Sequence, residues 1–178
     1  NALERIHGMV SELKQLDGKK KAVDDWLISR AHYNLREVNS AMEEYNLREL
    51  ASIVYFTIYD DLKWYIRRGG ENKKVISEVL SIWSRLMNPI TPHLSEELFS
   101  EKGLATISSW PKFEEEKVDL KAEAGEDLVR KTMEGMRNVL KLAKLEKANK
   151  YTLFIAEPWL YEVVSMVSSQ IKVTRNVG

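Results

Sequence analysis

Apolar residues recur at every third or fourth position along most of the chain, and this spacing predicts amphipathic α-helices. One series ends at Asp17-Gly18, and the next runs from Ala22 to Tyr45. A third series, Leu47 to Arg68, is apolar on more than one side and therefore predicts the most buried helix. Gly69 and Gly70 follow it, as glycine does where a left-handed residue ends a helix.

Proline residues mark the limits of the next two helices. The series from Lys73 to Met87 predicts a helix that stops at Asn88-Pro89, since proline lacks a backbone donor and disfavours helical geometry in the residue before it. Pro92 is expected in the first turn of a short helix, where proline is tolerated. The charged segment from Pro111 to Asp119 then predicts a surface connector. These elements together predict a bundle of packed helices.

The last third of the chain begins with a predicted long helix, Ala122 to Lys147, after which the apolar pattern changes. Tyr151 to Ala156 has the character of a short strand, a helix follows, and Ile171 to Val173 predicts the start of a second strand. This order indicates a small α/β unit, which we expect to be truncated because the last run stops soon after it begins. We therefore predict a mainly α protein, with a helical bundle at residues 1–118 and the long helix plus a small α/β unit at residues 119–178.

The composition excludes several kinds of site. The 178 residues include no cysteine, which excludes disulfides and thiolate metal sites and fits a reducing cytoplasm. The histidines, His7, His32 and His93, are far apart and form no HExxH pattern, so we expect no metal site. The most apolar stretch, Ala51 to Tyr59, is much shorter than the roughly 20 residues that cross a bilayer. Because 27 basic and 27 acidic side chains cancel, any polyanion must be bound by local patches.

The stretch DDLKWYIRRGG, residues 60–70, places basic side chains at the end of the third predicted helix. Arg67 and Arg68 are followed by Lys73 and Lys74, and four cations around a glycine turn predict a site for a nucleic-acid backbone. Arg68 lies one turn after Trp64, so its guanidinium is predicted to stack on the indole and keep donors free for phosphate. In the alternative interpretation the aromatic residues fill the core and the arginines only balance the helix dipole.

A second group of cations lies along the predicted long helix: Arg137, Lys141, Lys144 and Lys147. The lysines repeat every three residues and drift slowly around one side of the helix. This arrangement predicts an RNA-facing ridge whose affinity falls steeply with salt. The alternative is a solvated face, which is the usual state of a charge run.

Catalytic motifs are missing from the sequence. A search for G-x-x-x-x-G-K-[ST], G-x-G-x-x-G and G-x-S-x-G finds none. Asp60 and Asp61 have no histidine or second carboxylate beside them at helical spacing, and we expect them to form hydrogen bonds or ion pairs within the fold. We therefore predict no catalytic residue in this chain.

Three stretches of the sequence together carry a family resemblance. They are DDWLISRAHYNLREVNSAMEEYNLRELASIVYFTIYDDLKWYIRR at residues 24–68, LMNPITPHLSEELFSEKG at 86–103 and ISSWP at 107–111. These stretches resemble the helical anticodon-binding domain of class I aminoacyl-tRNA synthetases. Within that class they are most similar to the leucine, isoleucine and valine branch. The stretch KYTLFIAEPWLYEVV at residues 150–164, which follows a basic helix, resembles leucyl-tRNA synthetases of the archaeal and eukaryotic cytosolic type.

The resemblance implies a division of labour within a longer polypeptide. A separate domain with HIGH- and KMSKS-like signatures uses ATP to attach the amino acid to tRNA, and an inserted editing domain hydrolyses mischarged tRNA. Neither signature occurs in this sequence. The resemblance therefore implies a fragment without a cofactor of its own, which positions tRNA(Leu) through backbone contacts for the catalytic domain of a monomeric, cytoplasmic leucine–tRNA ligase.

Two alternatives remain open on the sequence. Isoleucyl- and valyl-tRNA synthetases share the helical domain, although they often carry an acid after Trp-Tyr-Ile, where this chain has Arg67. The neutral and balanced charge also fits a non-catalytic helical scaffold that binds other proteins.

Overall fold

The structure is a computed structural model that describes residues 2–99, 101 and 103–173. The chain divides into two units, Asn1–Lys131 and Thr132–Gly178. Its α-helices are α1 (Ala2–Leu13), α2 (Ala22–Glu43), α3 (Leu47–Ser52), α4 (Ile58–Arg67), α5 (Lys73–Met87), α6 (Pro92–Leu98), α7 (Leu120–Leu142) and α8 (Pro158–Val173). A π-helical turn, Ile53–Thr57, joins α3 to α4. Because these residues are mainly helical and include no strand, the prediction of a mainly α fold is confirmed.

The first unit contains one apolar core to which α1 to α6 all contribute. The predicted limits of α5 are confirmed, since the Asn72 side chain accepts a hydrogen bond from the Lys74 N–H (3.2 Å) and the helix ends before Pro89. A larger share of α5 than of α3 and α4 is buried, so the prediction that Leu47 to Arg68 forms the most buried helix is wrong. The buried residues of α5 are Ile76, Val79, Leu80, Ser81, Ile82, Trp83, Ser84, Leu86 and Met87.

The π-helical turn explains part of the difference between the predicted and the observed burial of Leu47 to Arg68. A π turn contains an extra residue, so it rotates the side chains that follow relative to a regular α-helix. Phe56, which the pattern assigns to an apolar face, is 60% exposed. The Val54 carbonyl accepts a hydrogen bond from the Trp83 indole N–H (2.8 Å), which ties the π turn to α5.

A buried carboxylate, that of Asp24, ties the start of α2 to the turn between α4 and α5. It accepts hydrogen bonds from the Tyr65 hydroxyl (2.6 Å), the Asn72 side-chain amide (2.9 Å) and the Lys21 backbone N–H (2.9 Å). The Tyr65 hydroxyl in turn accepts the Asn72 backbone N–H (3.0 Å). Burial, together with the hydrogen bond to Asp24, raises the pKa of Tyr65 well above its usual range. The tyrosine therefore stays a neutral donor to this carboxylate.

The predicted connector, Pro111 to Asp119, is bonded to α2 through two buried side chains. Its Glu114 N–H donates to Nδ1 of His32 (3.2 Å), and the Asp119 N–H donates to the Ser29 hydroxyl (2.9 Å). Both bonds run to α2, so the connector fixes where α7 begins. They pair the Ser29 hydroxyl and Nδ1 of His32 in the interior, whereas Nε2 of His32 is buried without a hydrogen-bond partner.

His32 makes the docked connector sensitive to acid. Because Nδ1 accepts a hydrogen bond, the proton of the neutral ring lies on Nε2. Burial and the nearby Lys117 lower the pKa of His32, and Glu114, Glu78 and Glu116 oppose this more weakly. Because the pKa of His32 is lower in the folded chain, the unfolded chain takes up a proton first as the pH falls. The fold is therefore fully stable above the unfolded-state pKa of about 6.5 and loses stability below it. We expect urea titrations to show the free energy of unfolding falling below pH ~6.5, by at most about 1.4 kcal/mol per pH unit from this group.

Two substitutions separate His32 from other titrating groups. His32→Asn keeps an acceptor for the Glu114 N–H and should remove most of the pH dependence between about pH 6.5 and 5. The matched variant His93→Asn changes an exposed histidine and should leave the dependence as it is in the unmodified chain. Equal slopes for both variants would show that His32 does not carry the effect.

In the second unit α7 ends at Leu142 rather than at the predicted Lys147. Lys144 has a left-handed conformation with φ of 55°, and the Leu145 N–H donates to the Leu140 carbonyl (2.9 Å). This is the geometry of a helix C-terminus, which usually places glycine at the left-handed position. The sequence has lysine there, so the usual signal for the end of a helix is missing.

The predicted strands at Tyr151 to Ala156 and Ile171 to Val173 are wrong. Residues 151–157 have no regular secondary structure, and α8 continues through Val173. A strand is stable only when neighbouring strands satisfy its backbone groups, and the described residues offer it none. α8 carries many exposed apolar side chains, yet neither it nor another described helix has the length and hydropathy needed to span a membrane.

Candidate nucleic-acid interface

The last turn of α4 meets the first turns of α7 at a single carboxylate, that of Glu126. Its Oε2 accepts hydrogen bonds from the Trp64 indole N–H (2.9 Å) and from Nε of Arg68 (2.9 Å). Its Oε1 accepts a weaker bond from Nη2 of Arg68 (3.3 Å). Glu126 is only 7% exposed, whereas the Arg68 side chain is 36% exposed. The buried Glu126 carboxylate therefore binds both the Trp64 indole and the Arg68 guanidinium.

A second buried carboxylate, Asp61, lies on the preceding part of α4. Its Oδ2 accepts from Nε of Arg30 (3.1 Å) and from the Asn34 amide (2.9 Å), and Arg130 lies 3.8 Å from Oδ1. Burial raises the pKa of Asp61, and the positive Arg30 opposes that rise. The prediction that Asp61 has a structural role is confirmed. Its partners come from α2 and α7, so it joins three helices.

Glu123 forms a further attachment between α7 and α2. Its Oε1 accepts a hydrogen bond from the Ser29 hydroxyl (2.6 Å), and its Oε2 lies 3.7 Å from Nη1 of Arg30. α7 is therefore held to the bundle at Glu123 as well as at Glu126. The two attachments use different partners.

Cations and aromatic rings alternate on the exposed side of α4. Tyr59, Lys63 and Arg67 are spaced by four residues, so they form one stripe along the helix. Lys63 Nζ lies 5.5 Å from the centre of the Tyr59 ring, and the Arg67 guanidinium lies 5.9 Å from the Trp64 ring. These distances are in the range of cation–π contacts. The stripe lines a shallow groove made of two pockets, one bordered by Arg5 of α1 and the other by Arg130 of α7. The groove also contains the carboxylates of Glu12 and Asp60, and Asp60 pairs with Lys63 at 3.3 Å.

The predicted stacking of Arg68 on Trp64 is wrong. The guanidinium that lies over this ring most closely is that of Arg130, at 4.7 Å from its centre, with Arg67 farther away. Arg68 turns instead toward Glu126. The sequence pattern could not show this, because Glu126 lies 58 positions away. The contact of Arg67 and Arg68 with RNA stays a prediction.

Lys73 and Lys74 occupy the first turn of α5 and are exposed. Cations are disfavoured at a helix N-terminus by about 0.3–1 kcal/mol because the dipole is positive there. Helix stability therefore does not explain these two lysines. Their positive side chains suit an anion such as phosphate, although the Lys74 N–H already donates to the Asn72 side chain.

The basic hinge of Lys19 to Lys21 lies against the α4–α5 turn. The Gly18 N–H donates to the Glu71 carbonyl (2.7 Å), and Lys21 Nζ donates to the Gly69 carbonyl. Lys20 is paired with Asp25 (2.8 Å). The fold thus brings two basic segments together that are about 50 positions apart in the sequence.

The predicted cations of the second unit are all exposed, but only part of the predicted ridge is helical. Arg137 and Lys141 are four residues apart on α7 and share a face. Lys144 and Lys147 lie beyond the end of the helix, so the prediction that they continue this face is wrong. Their contact with RNA stays a prediction.

Sequence reasoning missed Arg5, Lys63 and Arg130. The four-residue spacing of Lys63 and Arg67 is a local signal that could have identified Lys63. Arg5 and Arg130 join the groove only through the packing of α1 and α7, which local spacing does not contain. Within the described ranges, no three His, Asp or Glu side chains are grouped so that they could hold a metal ion. The chemistry that this surface offers is attraction of an anion and stacking against aromatic rings.

Comparisons with known proteins give one consistent family. Residues 24–153 match the family described as the anticodon-binding domain of tRNA ligase. The chain is 33% identical to leucine–tRNA ligase of Methanocaldococcus jannaschii over 93% of its length, and 33% identical to that of Methanococcus maripaludis over 89%. It is 31% identical to leucine–tRNA ligase of Pyrococcus horikoshii over 94% of its length. It spans only 18%, 17% and 19% of these three relatives, respectively.

Proposed function

This chain belongs to the family of anticodon-binding domains of tRNA ligases, and on that premise we propose that it docks tRNA(Leu) through the sugar-phosphate backbone. Aminoacylation takes place on another domain of a longer, monomeric leucine–tRNA ligase in the cytoplasm. That domain uses ATP to activate leucine, and an editing domain belongs to the same polypeptide. This chain positions the tRNA and needs no cofactor for that task.

The cation and aromatic stripe on α4 is the observation that supports this proposal most directly. Lys63 and Arg67 project from one face together with Tyr59, and Arg130 lies over Trp64 beside them. Arginine and lysine attract phosphates without reading sequence, and the half-buried rings of Tyr59 and Trp64 hold these cations by cation–π contacts. Because the net charge is zero, attraction for RNA must come from local patches such as this surface and the basic α4–α5 turn.

Titration of labelled tRNA(Leu) transcript with the chain at several salt concentrations tests the proposal. Lys63→Gln combined with Arg67→Gln should weaken binding about tenfold at low salt and reduce the salt slope by about two, one for each lost phosphate contact. The matched control combines Arg36→Gln with Arg48→Gln, which removes the same charge outside the groove. We expect the control to change affinity by less than about threefold.

Two results would contradict different parts of the proposal. If the groove variant and the control lose the same affinity, the α4 stripe is not the docking surface. If the unmodified chain shows no salt-dependent binding of tRNA, the docking function itself is wrong.

A further inference from the structure

Trp64 and Arg68 form a receptor for an oxyanion. The indole N–H and two guanidinium nitrogens point at one carboxylate, with two bonds of 2.9 Å and one of 3.3 Å. A guanidinium fork matches phosphate as well as carboxylate, because both present two oxygens at similar spacing. Arg130 lies over the Trp64 ring and adds positive charge to the same place.

The carboxylate in this receptor belongs to the chain itself. Glu126 is almost fully buried, whereas Arg68 remains partly open to solvent. The bonds to Trp64 and Arg68 satisfy both oxygens of Glu126. Glu123 independently holds the start of α7 to Ser29 and Arg30. The Glu126 side chain is therefore able to leave the receptor while α7 stays attached at Glu123.

We propose that the Trp64–Arg68 receptor binds an RNA phosphodiester and that Glu126 occupies it as an internal substitute for phosphate until RNA arrives. This inference rests on the proposed tRNA docking and adds its regulation. When phosphate enters, it takes over the hydrogen bonds of the carboxylate, and Glu126 moves out to solvent. Glu126 and RNA thus compete for the same donors, so the carboxylate lowers the affinity for RNA and suppresses binding of weaker anions.

Substitution of Glu126 by glutamine tests this competition. Glu126→Gln keeps the shape of the side chain and removes its charge, so the receptor opens more easily to phosphate. We expect affinity for tRNA(Leu) to rise about five- to tenfold at low salt with little change in the salt slope, because the same phosphate contact forms in both chains. Glu134→Gln is the matched control, because it removes an exposed charge from the same helix. Its affinity should change by less than about twofold.

A double-variant cycle tests whether the gain in affinity for tRNA(Leu) comes from the Trp64–Arg68 receptor. In a chain that already carries Arg68→Gln, the further change Glu126→Gln should give no gain in affinity, since the donor fork is gone. If the gain persists in the double variant, the receptor is not the source and the inference is overturned. The inference is also overturned if Glu126→Gln and Glu134→Gln bind tRNA equally well.

The unmodified chain provides a measurement that does not depend on a variant that folds. The indole N–H signal of Trp64 in a nitrogen-15 spectrum, assigned by its loss in Trp64→Phe, should shift when tRNA saturates the protein. A signal that stays fixed while tRNA binds would overturn the exchange and leave the docking function intact. Absence of tRNA binding in every variant would overturn the docking function instead.

Discussion

Replacing Asp24 by alanine is expected to lower the free energy of unfolding by about 3 kcal/mol or more. The carboxylate is fully buried and accepts from Tyr65, Asn72 and the Lys21 backbone. Alanine leaves these donors without partners inside the fold, and each such group costs about 1–3 kcal/mol before relaxation. The Lys21 bond is also part of the N-terminal cap of α2. Urea denaturation followed by far-UV circular dichroism measures the loss.

The neighbouring aspartate provides the control for this experiment. Asp25 is exposed and pairs with Lys20 on the surface at 2.8 Å. An exposed pair of this kind contributes about 0–1 kcal/mol, so Asp25→Ala should change stability by less than about 1 kcal/mol. Similar losses for both variants would mean that the Asp24 network does not tie α2 to the α4–α5 turn in solution.

The helices of the first unit follow from local chemistry, which is why the sequence predicts them well. α5 begins after an asparagine cap and ends before Asn88-Pro89, and α6 begins at Pro92. These limits depend on residues within one turn of the boundary. The stretches at residues 24–68 and 86–111 also carry the family resemblance, and the match over residues 24–153 confirms it. That match favours a tRNA-docking domain over a protein-binding scaffold.

The features that the sequence could not predict depend on distant partners. The π turn is bonded to Trp83 through the Val54 carbonyl, and Arg68 is bonded to Glu126. A pattern of apolar residues contains no information about either pair. The predicted strand at Tyr151 to Ala156 was wrong for a related reason. Strand propensity reports how a residue fits a sheet, and the described part of the second unit supplies no sheet.

In the candidate site too, the sequence predicted what depends on neighbouring residues and missed what depends on distant partners. Arg67, Arg68, Lys73 and Lys74 were predicted from their closeness in sequence, and the α4–α5 turn does keep them at one end of two helices. The sequence could not show which of these cations pairs with a carboxylate, because the carboxylate that binds Arg68 belongs to α7. Closeness in sequence therefore predicted that these four cations lie near one another, while packing decides which of them pairs with a carboxylate. Their contact with RNA stays a prediction.

Gly70→Ala is expected to destabilise the same corner of the fold by about 2–3 kcal/mol. Gly70 is buried, and a Cβ atom at this position would overlap the ring carbons of Tyr65. The ring cannot move aside cheaply, since its hydroxyl is bonded to Asp24 and to the Asn72 N–H. Steric overlap with a fixed ring must therefore displace the turn itself, and a thermal or urea titration should record the loss.

Gly125→Ala on α7 is the matched substitution, because no described atom beyond its neighbours and the local helix backbone lies within 4 Å of the added Cβ. Alanine favours a helix interior over glycine by up to about 1 kcal/mol, so this variant should be as stable as the unmodified chain or more stable. The two variants add the same methyl group and should differ in sign. If Gly70→Ala is neutral as well, Tyr65 is free to shift, and the Asp24 network is looser than its hydrogen-bond distances indicate. The predicted loss for Asp24→Ala would then be too large, which makes the two experiments checks on each other.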